Sequence, residues 1–374
     1  MKITTAGESH GKGLVAIIEG LPAGLTLDLA AINAALSLRQ SGYGRGARQK
    51  LEKDRAEIIS GVRNLKTLGS PLTLFIENRD YANWADYMAP EGCDESARRL
   101  TKVRPGHADL TGMKKFGQTD ARNILERASA RETAVRVAAG EVCRQLLGAL
   151  GVEVTGFVRS VGTVDGGGDF TFEDIKSSRG ANLLMMKNER AAMKFIDECG
   201  AAGDTCGGVL ELRVKGLKSG FGSCMTYAQK LDARLVSALM SVQAVKGAEV
   251  GLGFETARLR GSEAHDELYL KDGKIVRKTN RAGGIEGGMS NGEELILRAA
   301  MKPIPTLMKG LCTVDTDTVS ETRAATERSD VCAIAACEVV LESALLLELC
   351  AVVLERLGGD TMQEIVERYG RLPS

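Results

Sequence analysis

The apolar positions of this chain recur with two different periods, and the switches between them lay out its elements. Residues 14–19 form an apolar run rich in Val and Ile, closed by the turn-like Gly20-Leu21-Pro22-Ala23-Gly24, and predict a strand. Leu29, Ile32 and Leu36 follow at helical spacing behind Asp28, predicting a capped helix through Leu38. Further strands are expected at Ala56–Ser60 and Leu72–Glu77, and a long Ala-rich helix from about residue 121 to 150. In the second half, residues 153–158 and 208–214 read as strands and 191–199 and 231–242 as helices. Residues 166–168, 247–253 and 283–292 read as glycine-rich turns or loops. A last helix at 332–357 carries Ala, Val and Leu on most faces, so it is expected to be buried. Strand–helix alternation in both halves predicts an α/β or α+β fold. With no Pro/Ser-rich linker, residues 1–374 read as a single interlocked domain.

Composition narrows the function. Lys+Arg 49 balance Asp+Glu 49, which argues against a nucleic-acid coat or a polybasic membrane anchor. Aromatics at 4% leave little for base-stacking platforms. The 9 cysteines show no Cys-x-x-Cys pair and fit buried thiols in a reducing compartment rather than a metal or disulfide framework. Residues 1–8 carry no apolar signal core, and the run at 345–354 is interrupted by Glu348. That run is shorter than the ~20 apolar residues a membrane helix needs, so a cytoplasmic protein is expected.

Candidate chemistry sits in glycine-punctuated polar stretches. Only 3 histidines occur, and two lie in such settings: Gly7-Glu8-Ser9-His10-Gly11-Lys12-Gly13 and Arg104-Pro105-Gly106-His107-Ala108-Asp109. Histidine changes charge near neutral pH and is the commonest acid–base group, while adjacent glycines let a backbone approach a ligand. His265, in the acidic stretch around Asp266, reads as a solvated loop residue. The stretch Arg39-Gln40-Ser41-Gly42-Tyr43-Gly44-Arg45-Gly46-Ala47-Arg48 reads as a glycine–arginine loop suited to carboxylate or phosphate. Arg127 and Arg131 stand one helical turn apart around Ala128 and Ser129; such a like-charged pair repels unless an anion lies between. Lys302-Pro303-Ile304-Pro305-Thr306 is a stiff loop with an ammonium and a hydroxyl. Asp330, in Arg328-Ser329-Asp330, precedes the last helix and is a candidate N-cap. The chain has neither a P-loop nor a His-Glu-x-x-His, and no convincing strand–Gly-x-Gly-x-x-Gly–helix unit.

Taken in order, these blocks resemble the chorismate synthase family from end to end. Gly7 to Gly11 with Glu19-Gly20-Leu21-Pro22, Arg127 to Gly140, and Arg328 to Cys332 with Glu342-Ser343-Ala344 are similar to its signatures, as are the His107 block and Gly283-Gly284-Ile285-Glu286-Gly287-Gly288. Leu38 departs from the arginine that many members carry there, and Asn123-Ile124-Leu125-Glu126 stands where some have glycines.

The resemblance implies a β-α-β sandwich with large antiparallel sheets and a homotetramer. It implies a lyase of the shikimate pathway that makes chorismate from 5-enolpyruvylshikimate 3-phosphate, losing phosphate and the C6 proton from opposite faces. Reduced FMN is required without net redox change, with NADPH or an external flavin reductase as a source of electrons. By the same resemblance His10 is the acid at the leaving phosphate, His107 a protonated partner of the flavin, and Asp330 a regulator of the flavin N5 proton. Ser9, Arg39, Arg45, Arg48, Ser129 and Arg131 are assigned to substrate. Arg39, Arg45, Arg127, Ala128, Ser129, Gln243, Ala244, Gly287, Lys302, Pro303, Ile304, Pro305, Thr306 and Arg328 are assigned to FMN.

Two readings compete. An NADPH-dependent flavin reductase or other redox enzyme would reveal itself by net hydride transfer; the missing dinucleotide fingerprint weighs against it. An anion- or RNA-binding protein built on the arginines would show steep salt dependence.

Overall fold

Strict alternation of inward and outward positions builds the first sheet. In the computed structural model, which describes residues 1–46, 53–168, 170–324 and 329–373, β1 (Lys2–Ala6) and β2 (Gly13–Glu19) are followed by helix α1 (Leu29–Gln40), β3 (Ala56–Ser60) and β4 (Leu72–Glu77). The strands pair antiparallel in the order β1-β2-β4-β3. Leu14, Ala16 and Ile18 of β2 and Leu72, Leu74 and Ile76 of β4 point inward and are fully buried. Asp28 caps α1 by accepting from the Ala30 and Ala31 N–H groups at 2.8 and 3.1 Å.

Helices α2 (Asp109–Phe116), α3 (Arg122–Ala128) and α4 (Thr133–Gly148) come next. The continuous helix expected over 121–150 is broken. Ser129 is extended (φ −62°, ψ 141°) and its hydroxyl accepts from the Arg131 N–H, starting a separate turn at Ala130–Glu132. Serine favours such local capping over a helix interior.

The second sheet is also antiparallel. Its strands are β5 (Glu153–Val161), β6 (Val164–Asp165), β7 (Gly208–Lys215), β8 (Val245–Val250) and β9 (Leu295–Met301), in the order β8-β9-β7-β5-β6. Helices α5 (Glu189–Ala201) and α6 (Leu231–Met240) lie between these strands in sequence, and α7 (Ile334–Leu357) and α8 (Met362–Arg371) follow. The segment 247–253, expected as a loop, is largely strand: pairing with β9 holds it, and Gly247 sits at a register shift. The other loop, 283–292, contains a small hairpin of Ile285–Glu286 with Met289–Ser290.

The sheets face each other across helices. α4 packs on β2 and β4, α7 on β5 and β7, and α4 and α7 pack together, giving the β-α-β sandwich. One buried apolar cluster takes in residues of both sheets and these helices. The α4–α7 contact depends on Gly140, where a Cβ would stand 2.6 Å from the Ser343 Cβ and 2.8 Å from its Cα. Gly140→Ala is therefore expected to lower stability by about 1–3 kcal/mol through overpacking, read from the denaturant midpoint. An unchanged midpoint would mean that the helices move apart freely. Among the described residues no helix is long and apolar enough to cross a membrane.

Candidate active site

His10 lies in the turn between β1 and β2. Gly7 there has φ +106°, and a Cβ would meet the Gly13 carbonyl oxygen at 2.2 Å, so the loop closes only with glycine. Asn78, just after β4, braces the loop: its side-chain N–H groups donate to the Glu8 and Gly11 carbonyls at 3.0 and 2.8 Å. The ring Nδ1 of His10 lies 2.8 Å from Glu126 Oε1, and the Ser9 N–H donates to the Glu126 carbonyl. The imidazole stacks on Trp84, with centroids 3.9 Å apart. Burial alone would push the Glu126 carboxyl up, but hydrogen bonds from His10, the His10 charge and Arg122 outweigh it and hold Glu126 below the usual carboxylate range.

The arginines divide their tasks. Arg127 donates to the Thr5 and Gly7 carbonyls and the Thr5 hydroxyl, supporting the His10 loop. Arg131 turns instead into the interior, where Nε donates to Asn78 Oδ1 at 2.8 Å and Nη1 contacts Asp54 at 2.6 Å. The expected anion between Arg127 and Arg131 is thus corrected: the break at Ser129 sends them to different partners. Arg39 is not in a loop but in the last turn of α1, donating to Thr133 Oγ1 and the Ala130 carbonyl. Burial lowers its guanidinium to about 10; Asp54 raises it, while Arg131 and Arg45 add to the lowering.

Asp330 is not a helix cap. α7 begins at Ile334 with Ala333 at its N-cap, and the Asp330 carboxylate instead accepts from the Gly46 N–H at 2.5 Å and pairs with Arg45 at 3.2 Å. The carbonyl of Gly44 accepts from Val331 and Cys332, fixing the two segments together. Arg45 is half-buried, and its buried Nε lacks a hydrogen-bond partner among the described residues. An orphaned donor of this kind costs about 1–3 kcal/mol, which an anion in contact would offset.

His107 and Asp109 flank the start of α2. Asp109 is fully buried and accepts from His107 Nδ1 at 2.5 Å and from Arg104 Nε at 2.8 Å. Burial opposes its ionisation, yet the hydrogen bonds and charges of His107 and Arg104 win and hold the carboxyl well below the usual range. Arg104 reaches Thr306, the Lys302 ammonium donates to the Gly106 carbonyl, and the Ser329 hydroxyl donates to the Thr306 carbonyl. The Lys302–Thr306 loop, with Pro303, Ile304 and Pro305, is thereby tied to both His107 and the Asp330 segment. The Lys302 N–H donates to the carbonyl of Ala244, a left-handed residue (φ 69°). Gln243 donates to Glu132, while its buried Oε1 has no partner among the described residues.

Gly287 stands apart on the 285–290 hairpin, whose Gly288 carbonyl accepts from Leu231 at the start of α6. Arg48 and Arg328 lie outside the described residues. His265 is exposed, as a solvated position should be. Sequence reasoning missed Asn78, Asp54, Glu126 and Trp84; the chain's lone tryptophan was the one conspicuous signal.

A β-α-β sandwich carrying two carboxylate-held imidazoles along a seam of buried arginines defines a class: enzymes that pair acid–base groups with anion-binding cations. The chain belongs to the chorismate synthase family, whose model, described as chorismate synthase, matches residues 1–354. It is 48% identical to the chorismate synthase of Caldicellulosiruptor bescii, over 100% of this chain and 99% of that protein. With the chorismate synthase of Pelobacter propionicus it shares 52% identity, over 99% and 97%. A solved structure titled "Crystal Structure of Chorismate Synthase" superposes with TM-score 0.79 at 39% identity, covering 99% of this chain and 96% of that one.

Proposed function

We propose that this protein is a lyase converting 5-enolpyruvylshikimate 3-phosphate to chorismate, by loss of phosphate and the C6 proton from opposite faces. The observation that carries the reading is a pair of polar clusters, each joining residues remote in sequence. Asn78 links the His10 loop to Arg131, which meets Asp54 and Arg39; Arg45 joins Asp330; and Ser329 and Thr306 lead on to Arg104 and His107. These clusters bring acid–base and anion-binding side chains together from remote parts of the chain.

The substrate carries two carboxylates and a phosphate. Arg39, Arg45 and Arg131, with Arg48, would hold these anions by charge-assisted hydrogen bonds. His10, beside Ser9, would give a proton to the departing phosphate. His107, held through Nδ1 by Asp109, would keep a proton facing the bound ligands, and Asp330 would govern proton exchange at their contact.

The residues fit a bound flavin: among the described residues the buried Arg45 Nε and Gln243 Oε1 lack partners, a donor suited to an anion and an acceptor suited to a ring N–H, and Lys302 and Thr306 are tied to the His107 segment. Arg39, Arg45, Arg127, Ala128, Ser129, Gln243, Ala244, Gly287, Lys302 to Thr306 and Arg328 would hold reduced FMN. When bound, it would supply an electron-rich ring and a basic ring nitrogen, with no net redox change.

The same reading takes residues 1–374 as one cytoplasmic domain, supported by the shared apolar cluster. A homotetramer would cover exposed Met225, Tyr227 and Phe254.

An anaerobic assay with dithionite-reduced FMN, set against aerobic NADPH plus FMN, tests the reaction. Equal release of chorismate and phosphate in the first is expected; NADPH oxidation without phosphate release would make it a reductase. Arg45→Ala is expected to weaken substrate binding about tenfold or more, and more than FMN binding. Titration with oxidised FMN present reads both; an unchanged substrate constant rejects the assignment.

A further inference from the structure

Glu126 takes hold of His10 twice. Its Oε2 accepts the His10 backbone N–H at 2.8 Å, and its Oε1 stands 2.8 Å from the ring Nδ1. A carboxylate that is 3% exposed and kept ionised has no hydrogen to give, so Nδ1 must be the donor. The neutral imidazole carries one N–H, which leaves Nε2 as the nitrogen with a free lone pair. The ring face is held as well. Trp84 stacks on it at 27°, is anchored by its own N–H to Asp80 Oδ2 at 3.1 Å, and has the Arg98 guanidinium 4.0 Å from its ring and that of Arg122 at 5.0 Å. The imidazole is therefore clamped at one edge and across one face.

We propose that Glu126 and Trp84 are positioning residues that lock His10 in its Nδ1–H tautomer, leaving Nε2 as the sole ring nitrogen that exchanges a proton with ligand. The proposal deepens the acid role given to His10 above and rests on it for its effect on turnover. Its geometric core does not.

Long-range proton–nitrogen spectra of histidine-labelled wild-type protein decide the tautomer directly. With 3 histidines in the chain, His10→Ala assigns the signals. The Nδ1–H form is expected for neutral His10; the Nε2–H form overturns the proposal. Glu126→Gln is expected to give mixed tautomers and to lower kcat about tenfold or more, with KM for 5-enolpyruvylshikimate 3-phosphate within about twofold. Unchanged kcat and an unchanged tautomer overturn the role of Glu126. Because Trp84 is the single tryptophan, emission from the ligand-free protein reads the stack. A change on His10→Ala is expected, and identical emission removes Trp84 from the clamp. If the tautomer is as expected but His10→Ala turns over normally, the acid assignment fails while the positioning stands.

Discussion

Replacing His10 by alanine is expected to lower turnover with reduced FMN by about 100-fold or more, the scale of losing a positioned general acid. The fold should survive. Glu126 keeps the backbone N–H of residue 10 and the Arg122 guanidinium, 3.5 Å away, as partners. Steady-state rates at saturating substrate, with a circular dichroism melt alongside, separate chemistry from folding. Turnover near the wild-type value in a folded His10→Ala protein would show that the leaving phosphate gets its proton elsewhere.

Asp330→Asn is expected to act as strongly on turnover, falling about 100-fold, for a different reason. Asparagine retains an oxygen for the Gly46 N–H but gives up the charge opposite Arg45. The helix-cap explanation no longer competes, because α7 starts at Ile334 and its N-cap position is Ala333, three residues beyond Asp330. With the Arg45 and Asp330 side chains only 9% and 18% exposed, losing the charge should cost about 1–3 kcal/mol of stability, because the guanidinium is left without its carboxylate. Near-normal turnover with intact stability would reduce Asp330 to a dispensable counterion. A large fall in stability would mean that the carboxylate chiefly holds the Arg45 loop in place.

Much of this architecture was legible where burial is one-sided. The strands Ala56–Ser60 and Leu72–Glu77 fall at their expected positions, and Asp28 caps its helix as its chemistry demands. The failures share a cause: a local preference outvoted by a partner remote in sequence. Gly247 reads as loop until β9 pairs with it, and Arg39 reads as part of a basic loop until Thr133 and Asp54 bury it. Ser129 is the opposite case, a local cap that breaks an Ala-rich helical pattern. Within the site, His10 and His107 stand out by their glycine-flanked settings, and Asp330 by its place just ahead of the last helix. Glu126, Asn78 and Asp54 do not, because a carboxylate or amide remote in sequence leaves no periodic mark beside the group it orients.

The contact between Asp330 and Gly46 has a meaning for how the molecule comes into being. It closes a loop of 284 positions, against 116 for Glu126 and His10. In equilibrium terms the longer closure costs only about 0.8 kcal/mol more, because loop entropy grows with the logarithm of length. In time the difference is large. A chain emerging from the ribosome has its first sheet, its His10 loop and Arg45 long before residue 330 has been made, and Arg45 meanwhile has no carboxylate to neutralise it. On the role proposed for Asp330, competence would arrive only when the far segment docks on the Arg45 loop.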